Sequence, residues 1–294
     1  MPELPEVETT VMGLKKQVVG RTITRVWVDL PGRIKLFGLP GDFTELVSGC
    51  QIKDITRRGK WILFYLTRRL NLLLHQKMTG HLLVGKWCWQ PGGWEPEPFL
   101  SRTLLDPVNR YLRLIFFLND GWQLGLSDLR RFARIELLPS KCLADSLILK
   151  SLGPDALTEV NQSIFRQRMK GRKGKIKSIL LDQKVIAGLG NIYTDEILFH
   201  AGIHPATNVA HLSCFQLGII YRKMKSILKC AIAHRGTSFS DYRDSDGGKG
   251  NYGRYLQVYG RAGKQCYRCG QLIQRMKIGS RTASFCPGCQ KLYC

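Results

Sequence analysis

The chain has 294 residues, 44% of them hydrophobic, and a formal net charge of +23. This length suits two domains, or one domain with a small appendage. The positive excess is larger in the second half and indicates a polyanionic partner, with a merely soluble basic surface as the alternative. Nucleic acid is favoured over a membrane surface because no basic amphipathic helix with an aromatic face is evident. No apolar run approaches the roughly 18–20 residues of a bilayer span and no signal-peptide pattern opens the chain, so we expect a cytoplasmic protein.

The first residues combine a proline and a carboxylate at the start of a helix. If Met1 is removed, Pro2 becomes a terminal secondary amine. Such an amine titrates near pH ~7.7–8.0, so a large fraction is unprotonated and nucleophilic at neutral pH. Glu3 stands beside it as a candidate proton carrier. From Pro5 the apolar residues recur at helical spacing until Gly20, so the alternative is an ordinary capped helix after a common start.

Residues 21–139 have the pattern of β-structure. Short apolar runs bounded by turn residues predict closely spaced strands, which favours an antiparallel sandwich or barrel over a parallel sheet. The clearest runs are 22–30, 61–66, 72–74, 81–84, 111–118 and 134–138. Lys60 ends a charged turn, and Met78 is predicted at a hairpin tip. Residues 87–98 form a tryptophan-rich extended hairpin to which we assign no function.

A second domain is predicted after a linker at 140–153. Residues 166–177 include seven basic side chains and no acidic one, which suits a phosphate-facing surface, with a solvated loop as the alternative for 166–173. A helix, a turn punctuated by Gly188 and Gly190, and a helix beginning at Asn191 then predict a helix-two-turn-helix motif. Asn191 is a good cap residue, and the free N–H groups of a helix amino terminus bind phosphate. A dinucleotide site is not favoured, because no strand precedes these glycines.

Two Cys-x-x-Cys pairs lie near the end of the chain. Their spacing is typical of a closed tetrathiolate zinc site in a cytoplasmic protein. We therefore predict one structural Zn²⁺ per chain, held by Cys266, Cys269, Cys286 and Cys289. Cys294 has no evident partner.

Four motifs together resemble those of the bacterial formamidopyrimidine-DNA glycosylases, which excise oxidised purines such as 8-oxoguanine. They are the opening Met-Pro-Glu-Leu-Pro-Glu-Val-Glu-Thr, His-Gln-Lys-Met-Thr-Gly-His at 75–81, Asp-Leu-Arg-Arg-Phe at 128–132, and Gly-Leu-Gly-Asn-Ile-Tyr at 188–193. The resemblance implies an α+β fold: an N-terminal antiparallel β-sandwich with an N-terminal helix, a helical helix-two-turn-helix domain and a C-terminal zinc-finger β-hairpin. It implies a catalytic domain at 1–139, a linker at 140–153, a DNA-binding domain with a lesion-capping loop at 154–260, and a zinc finger at 261–294.

The resemblance also implies catalytic roles. Pro2 is the attacking amine, Glu3 transfers protons, and Glu6 supports it. Lys60 reaches the catalytic centre and contacts the backbone of the lesion, although a charged hairpin turn would have the same sequence. Arg281 belongs to the zinc hairpin, at the position of a DNA-contacting arginine that we group with the catalytic residues.

Other residues are implied to hold DNA. Phe132 and Met78 insert where the damaged nucleotide leaves the stack, Arg130 pairs with the orphaned base, and Arg131 holds phosphate. Three further contacts lie in the second half of the chain, two of them to phosphate and one in the stretch that caps the everted base; they are Lys177, Asn191 and Tyr259, respectively.

Four residues in the inserting segments depart from the family pattern. Gln76 and Lys77 stand where leucine and glycine are usual, Leu129 replaces a proline, and Ala133 replaces a glycine. These departures leave the local turn geometry open.

The function implied is that of a bifunctional glycosylase and abasic-site lyase, a monomer acting on double-stranded DNA that contains oxidised bases or abasic sites. One alternative is the sister glycosylase for oxidised pyrimidines, whose opening usually has glycine where this chain has Leu4. Another is a catalytically silent DNA-binding homologue. Such a protein would lack Pro2, Glu3 or Lys60, and all three are present.

Overall fold

The computed structural model describes residues 1–29, 32, 34–97, 101–239 and 241–293. Cys294 and the ends of two predicted segments, at Leu30 and Pro98, lie outside the described residues. Contacts divide the chain into two units, Met1–Leu149 with His234–Asn251, and Lys150–Ala233 with Tyr252–Cys294. In the described parts of the chain, no helix has both the length and the apolar character needed to cross a membrane.

The first unit is an antiparallel β-sandwich with one long helix, as the sequence predicts. Its helices are α1 (Leu4–Val18) and α2 (Phe43–Val47), and the short α3 (Leu147–Lys150) lies at the boundary of the two units in the chain. Its strands are β1 (Ile23–Val28), β2 (Ile34–Leu36), β3 (Ile52–Arg58), β4 (Trp61–Leu66), β5 (Leu70–His75), β6 (His81–Gly85), β7 (Trp87–Gln90), β8 (Gly93–Pro96), β9 (Leu112–Leu118), β10 (Gln123–Ser127) and β11 (Arg134–Pro139).

Two sheets carry the sandwich, one with strand order β1-β9-β10-β6 and one with β2-β11-β5-β4-β3. Neighbouring strands are antiparallel except β2 and β11, a parallel pair that the sequence pattern did not indicate. Apolar side chains from both sheets and from α1 share one core, for example Phe116, Leu72 and Val11. Strands β7 and β8 form the tryptophan-rich hairpin.

Two of the chain segments that pass from one sheet to the other contain predicted inserting residues. The first joins β5 to β6 and contains Met78; the second joins β10 to β11 and contains Phe132. The predicted hairpin tip at Met78 is therefore wrong, since β5 and β6 belong to different sheets. Strand register places the two crossings side by side, because His75 pairs with Arg134 and His81 pairs with Ser127.

Residues 234–251 pack in the first unit, although the division made on sequence places them within 154–260. The reason is a set of hydrogen bonds to the sandwich. The Thr237 N–H donates to Glu6 (2.7 Å), the Arg243 guanidinium pairs with Asp106 (2.7 Å), and the Ser245 carbonyl accepts from the Val84 N–H (2.8 Å).

The second unit contains the helix-two-turn-helix and the C-terminal hairpin. Its main elements are α4 (Gln162–Met169), α5 (Ile176–Leu181), α6 (Asn191–Ala201), α7 (Cys214–Ala233), β12 (Gln274–Ile278) and β13 (Arg281–Phe285). The N-cap of α6 is Gly190, so Asn191 is the first helical residue and the prediction that it is the cap is wrong. Its side chain is thereby free to bond elsewhere.

Candidate active site and zinc site

The chain begins in a buried corner of the sandwich. Pro2 is buried and Glu3 is 3% exposed. Glu3 is the N-cap of α1 in a capping box: its side chain accepts the backbone N–H of Glu6, and its own N–H donates to Glu6 Oε2 (2.8 Å). In this structure the terminal amine is that of Met1, and burial lowers its pKa below the usual value. The Met1 amine is thus shifted towards its unprotonated form.

Glu6 is buried and joins the start of α1 to the segment 234–251. Its Oε2 accepts from the Glu3 N–H (2.8 Å) and its Oε1 from the Thr237 N–H (2.7 Å). Gly236 has a φ of +75°, and a Cβ there would lie 2.7 Å from Glu6 Oε1, so only glycine fits beside this carboxylate. With both oxygens engaged, Glu6 is arranged to position Glu3 rather than to exchange protons itself.

Lys60 follows a tight turn at Gly59 (φ 58°) and is 6% exposed. Its charge lowers the pKa of the Met1 amine, after the larger effect of burial, and it also lowers the pKa of His75. Lys60 therefore lies close enough to the chain start to act on it. The turn is braced by Arg57, which pairs with Glu8 of α1 (2.7 Å) and donates to the Gly59 carbonyl (2.9 Å).

His75 is a buried group near this corner that the sequence did not single out. Burial, with the charges of Lys77, Lys60 and Arg134, lowers the pKa of His75 to about 3, so the ring is neutral at physiological pH. Its Nδ1 accepts the Lys77 N–H (2.9 Å), and its ring meets Trp61 edge to face (4.9 Å). His75 thus supports the turn that carries Met78.

The two sheet crossings expose the predicted inserting residues. Met78 is 39% exposed and Phe132 44%, and both line a cavity of about 490 Å³ together with Met1. The Arg130 guanidinium lies over the Phe132 ring, 4.7 Å from its centroid. Arg131, predicted to hold phosphate, is paired here with Asp29 (3.3 Å). The chain start and both inserting side chains therefore face one cavity.

Lys177 does not occupy a phosphate-facing position. Its side chain is 0% exposed, its Nζ pairs with Asp195 (2.5 Å), and it donates to the Thr282 carbonyl (2.8 Å). A fully buried ammonium has no open path to phosphate, so this geometry contradicts the predicted contact. Burial raises the pKa of Asp195 to about 7, although Lys177 and the Ser284 N–H oppose the shift. Lys177 instead joins α5 and α6 to the hairpin.

Asn191 and Arg281 are the first residues of α6 and of β13, respectively. The Asn191 Nδ2 donates to the Thr282 carbonyl (3.1 Å), while its Oδ1 has no partner among the described residues. Arg281 begins β13 and is exposed at the turn of the hairpin. Tyr259 is half-buried, and its N–H, like that of Val258, donates to the buried carboxylate of Glu196 (2.9 Å each). Glu196 thus anchors the stretch containing Tyr259.

The four cysteines at the end of the chain form one cluster. All four Sγ atoms lie within 4.8 Å of one another. The Cys266–Cys289 and Cys269–Cys286 sulfurs are 3.8 Å and 3.3 Å apart. A tetrahedral zinc ion with Zn–S bonds of about 2.3 Å requires sulfurs roughly 3.8 Å apart, so the cluster fits one Zn²⁺.

Three family models match successive parts of the chain. The N-terminal domain of formamidopyrimidine-DNA glycosylase matches residues 1–135, and the H2TH domain of the same enzyme matches residues 152–243. A zinc finger found in FPG and IleRS matches residues 263–292 and confirms the prediction of a zinc-binding hairpin.

Curated relatives and solved structures agree over the full length. The formamidopyrimidine-DNA glycosylase of Pelotomaculum thermopropionicum is 38% identical over 99% of this chain and 100% of its own length. That of Symbiobacterium thermophilum is 39% identical over 99% of this chain and 89% of its own. The Lactococcus lactis enzyme in complex with abasic-site DNA is 30% identical, with a TM-score of 0.82 over 98% of this chain and 99% of that one. The chain therefore belongs to the formamidopyrimidine-DNA glycosylase family.

Proposed function

We propose that this protein is a base-excision-repair glycosylase that removes oxidised purines from double-stranded DNA and then cleaves the strand as an abasic-site lyase. The observation that carries the proposal is the buried chain start. Pro2 and Glu3 are buried there, and the Met1 amine that precedes them has a pKa lowered mainly by burial and also by the Lys60 charge. Solved Lactococcus lactis relatives are bound to DNA containing a formamidopyrimidine lesion or an abasic site.

The proposed reaction begins after removal of Met1, which frees the Pro2 nitrogen. Its lone pair attacks C1′ of the damaged nucleotide, and the bond from C1′ to the base breaks as the base leaves with its electron pair and gains a proton. Glu3 carries protons between the sugar and the leaving base. The sugar ring opens to an iminium joined to Pro2, which acidifies the C2′ proton. Its loss drives β-elimination and then δ-elimination of the flanking phosphates.

The remaining residues have proposed binding roles. Lys60 stabilises negative charge on the phosphate beside the lesion, and Met78, Arg130 and Phe132 occupy the space that the nucleotide vacates. Arg131 reaches phosphate only after leaving Asp29. The helical unit holds backbone through Asn191 and the N–H groups at the start of α6. Tyr259 lies in the stretch that caps the everted base, and Arg281 contacts DNA from the hairpin.

Oxidised pyrimidines are the second candidate substrate. Leu4 favours the purine enzyme, but one Lactococcus lactis relative has been solved with DNA containing an oxidised pyrimidine. Excision rates on matched duplexes with 8-oxoguanine or an oxidised pyrimidine distinguish the two. We expect the purine to be released faster, and the protein to act as a monomer.

Borohydride trapping tests the covalent mechanism. Wild-type protein and 8-oxoguanine duplex should give a cross-link that peptide mapping locates at Pro2, because a lysine of ordinary pKa is only about one part in a thousand unprotonated at neutral pH. In Pro2→Gly the adduct should form on the primary amine of residue 2. Glu3→Gln should bind lesion DNA but excise the damaged base poorly. Lys60→Ala should slow turnover, with the adduct still at residue 2. An adduct mapped to Lys60, or base release without any adduct, contradicts the mechanism.

A further inference from the structure

The two segments that carry the inserting side chains are neighbours by strand register. Residues between His75 and His81 cross from the five-stranded to the four-stranded sheet, and residues between Ser127 and Arg134 cross back. Because their flanking strands are paired, the crossings run next to each other at one end of the sandwich. Any bond between them therefore links Met78 on one segment to Phe132 on the other.

Such a bond exists between Thr79 and Asp128, which are 5% and 1% exposed. The Thr79 hydroxyl donates to Asp128 Oδ1, and its oxygen accepts the Arg130 N–H (3.1 Å). The other carboxylate oxygen, Oδ2, accepts the Ala133 N–H (2.8 Å). Thr79 and Asp128 together therefore bind backbone N–H groups on both sides of Phe132. Thr79 is also the residue that follows Met78.

The backbone just before each inserting residue is in a sparsely populated conformation. Lys77 has a φ of 55° and Arg131 a φ of 57°, in the left-handed region that non-glycine residues rarely adopt. Residues in this region persist only where their surroundings hold them. Here the Lys77 N–H donates to the His75 Nδ1 (2.9 Å), and the Arg131 N–H donates to the Asp128 carbonyl (3.3 Å). Both tips are therefore preset by their neighbours before DNA binds.

We propose that Thr79 and Asp128 are positioning residues that couple Met78 and Phe132, so that the two side chains enter the stack as one unit. The insertion itself rests on the proposed function. Neither Thr79 nor Asp128 needs to touch DNA, since both act through the segments they join. The carboxylate makes this hydrogen bond a charge-assisted one, which is stronger than a neutral one.

Stopped-flow fluorescence tests the coupling without any chemical step. The probe is a duplex with a tetrahydrofuran abasic analogue opposite 2-aminopurine, whose emission changes when its stacking is disrupted. We expect Thr79→Val, which keeps the side-chain shape but removes both the donor to Asp128 and the acceptor of the Arg130 N–H, to slow this change by at least about tenfold. Loss of the hydrogen bond to the charged group alone corresponds to about tenfold to one hundredfold. Thr79→Ser, which keeps the hydroxyl, should stay within about twofold of wild type. Asp128→Asn removes the negative charge from the acceptor and is a second way to weaken this hydrogen bond.

Thr56→Val is the matched control, because Thr56 is a half-buried threonine on strand β3 whose hydroxyl donates to Tyr65 (3.3 Å) and not to either inserting segment. A double-mutant cycle on Met78→Ala and Phe132→Ala should show coupled effects in wild type and additive effects in Thr79→Val. Wild-type kinetics for both Thr79→Val and Asp128→Asn, or undiminished coupling in Thr79→Val, overturns the proposal. Trapping on preformed abasic-site DNA separates the two claims: if wild type forms no adduct but the fluorescence effects hold, the lyase mechanism fails and the coupling stands.

Discussion

Lys77 adopts a backbone conformation that suits glycine better than lysine. Its φ of 55° lies in the left-handed region, where a Cβ crowds the following carbonyl at a cost of roughly 1–2 kcal/mol. The structure answers the question of turn geometry that Lys77 raises: lysine is accommodated in the left-handed turn, with its N–H donating to His75.

Lys77→Gly should therefore raise the free energy of unfolding by up to about 1 kcal/mol, since relief of the left-handed strain exceeds the added flexibility of the unfolded chain. Lys77→Val should lower it by about 1 kcal/mol or more, because β-branched residues fit this region worst. Lys35→Gly on strand β2 is the control and should be destabilising. Denaturant titration measures all three; equal losses for Lys77→Gly and Lys35→Gly would contradict the assignment of strain.

At the scale of elements, a buried ion pair joins the helix-two-turn-helix to the zinc hairpin. The Lys177 ammonium bonds Asp195 on α6 and the Thr282 carbonyl on β13, and the other Asp195 oxygen accepts the Ser284 N–H (2.9 Å). The Lys177 ammonium and both Asp195 carboxylate oxygens therefore have protein hydrogen-bond partners. It also fixes Thr282, whose carbonyl accepts from Asn191.

Lys177→Met should lower the free energy of unfolding of the helical unit by about 3–5 kcal/mol, because it leaves the Asp195 charge buried without its partner. The double variant Lys177→Met/Asp195→Leu should recover much of this loss. Burial already raises the pKa of Asp195 to about 7, and loss of the ammonium raises it further. In Lys177→Met the Asp195 carboxyl is therefore protonated and uncharged at low pH. The loss in the free energy of unfolding should be greater at pH 8 than at pH 5. Hydrogen exchange of α6 and β13 provides the measurement, and a pH-independent loss would argue against this origin.

For the whole molecule, the division into two units predicts an uneven response to metal removal. The four cysteines belong to the second unit, and zinc binding contributes about 10–16 kcal/mol to the folding of isolated zinc-finger peptides. Chelation should therefore release one zinc per chain, increase hydrogen exchange in the hairpin and weaken DNA binding, while exchange in the sandwich stays nearly unchanged. Absence of zinc from freshly purified protein, or an equal effect on both units, would contradict the expectation.

The sequence alone determined those features that depend on local chemistry. Apolar periodicity predicted the helix at Leu4–Val18 and most strands, because burying one face requires a repeat that short segments display. Glycines at 188 and 190 marked the turn before α6, and the Cys-x-x-Cys spacing predicted the metal cluster. The start of the chain identified a candidate nucleophile, since only a terminal amine combines a moderate pKa with an adjacent carboxylate.

Tertiary structure decided what depends on contacts between distant residues. Lys177 has a basic context in sequence, yet Asp195 and Thr282 bury it, and neither partner is close in the chain. The sequence around Met78 resembles a hairpin tip, but the strands on either side of it belong to different sheets. The sheet to which a strand belongs is set by pairing between residues far apart in the chain. The hydrogen bond between Thr79 and Asp128 could not be predicted from the sequence for the same reason. The spacing of residues in a motif shows which chemical groups the chain contains. Packing between distant segments determines which of these groups come into contact.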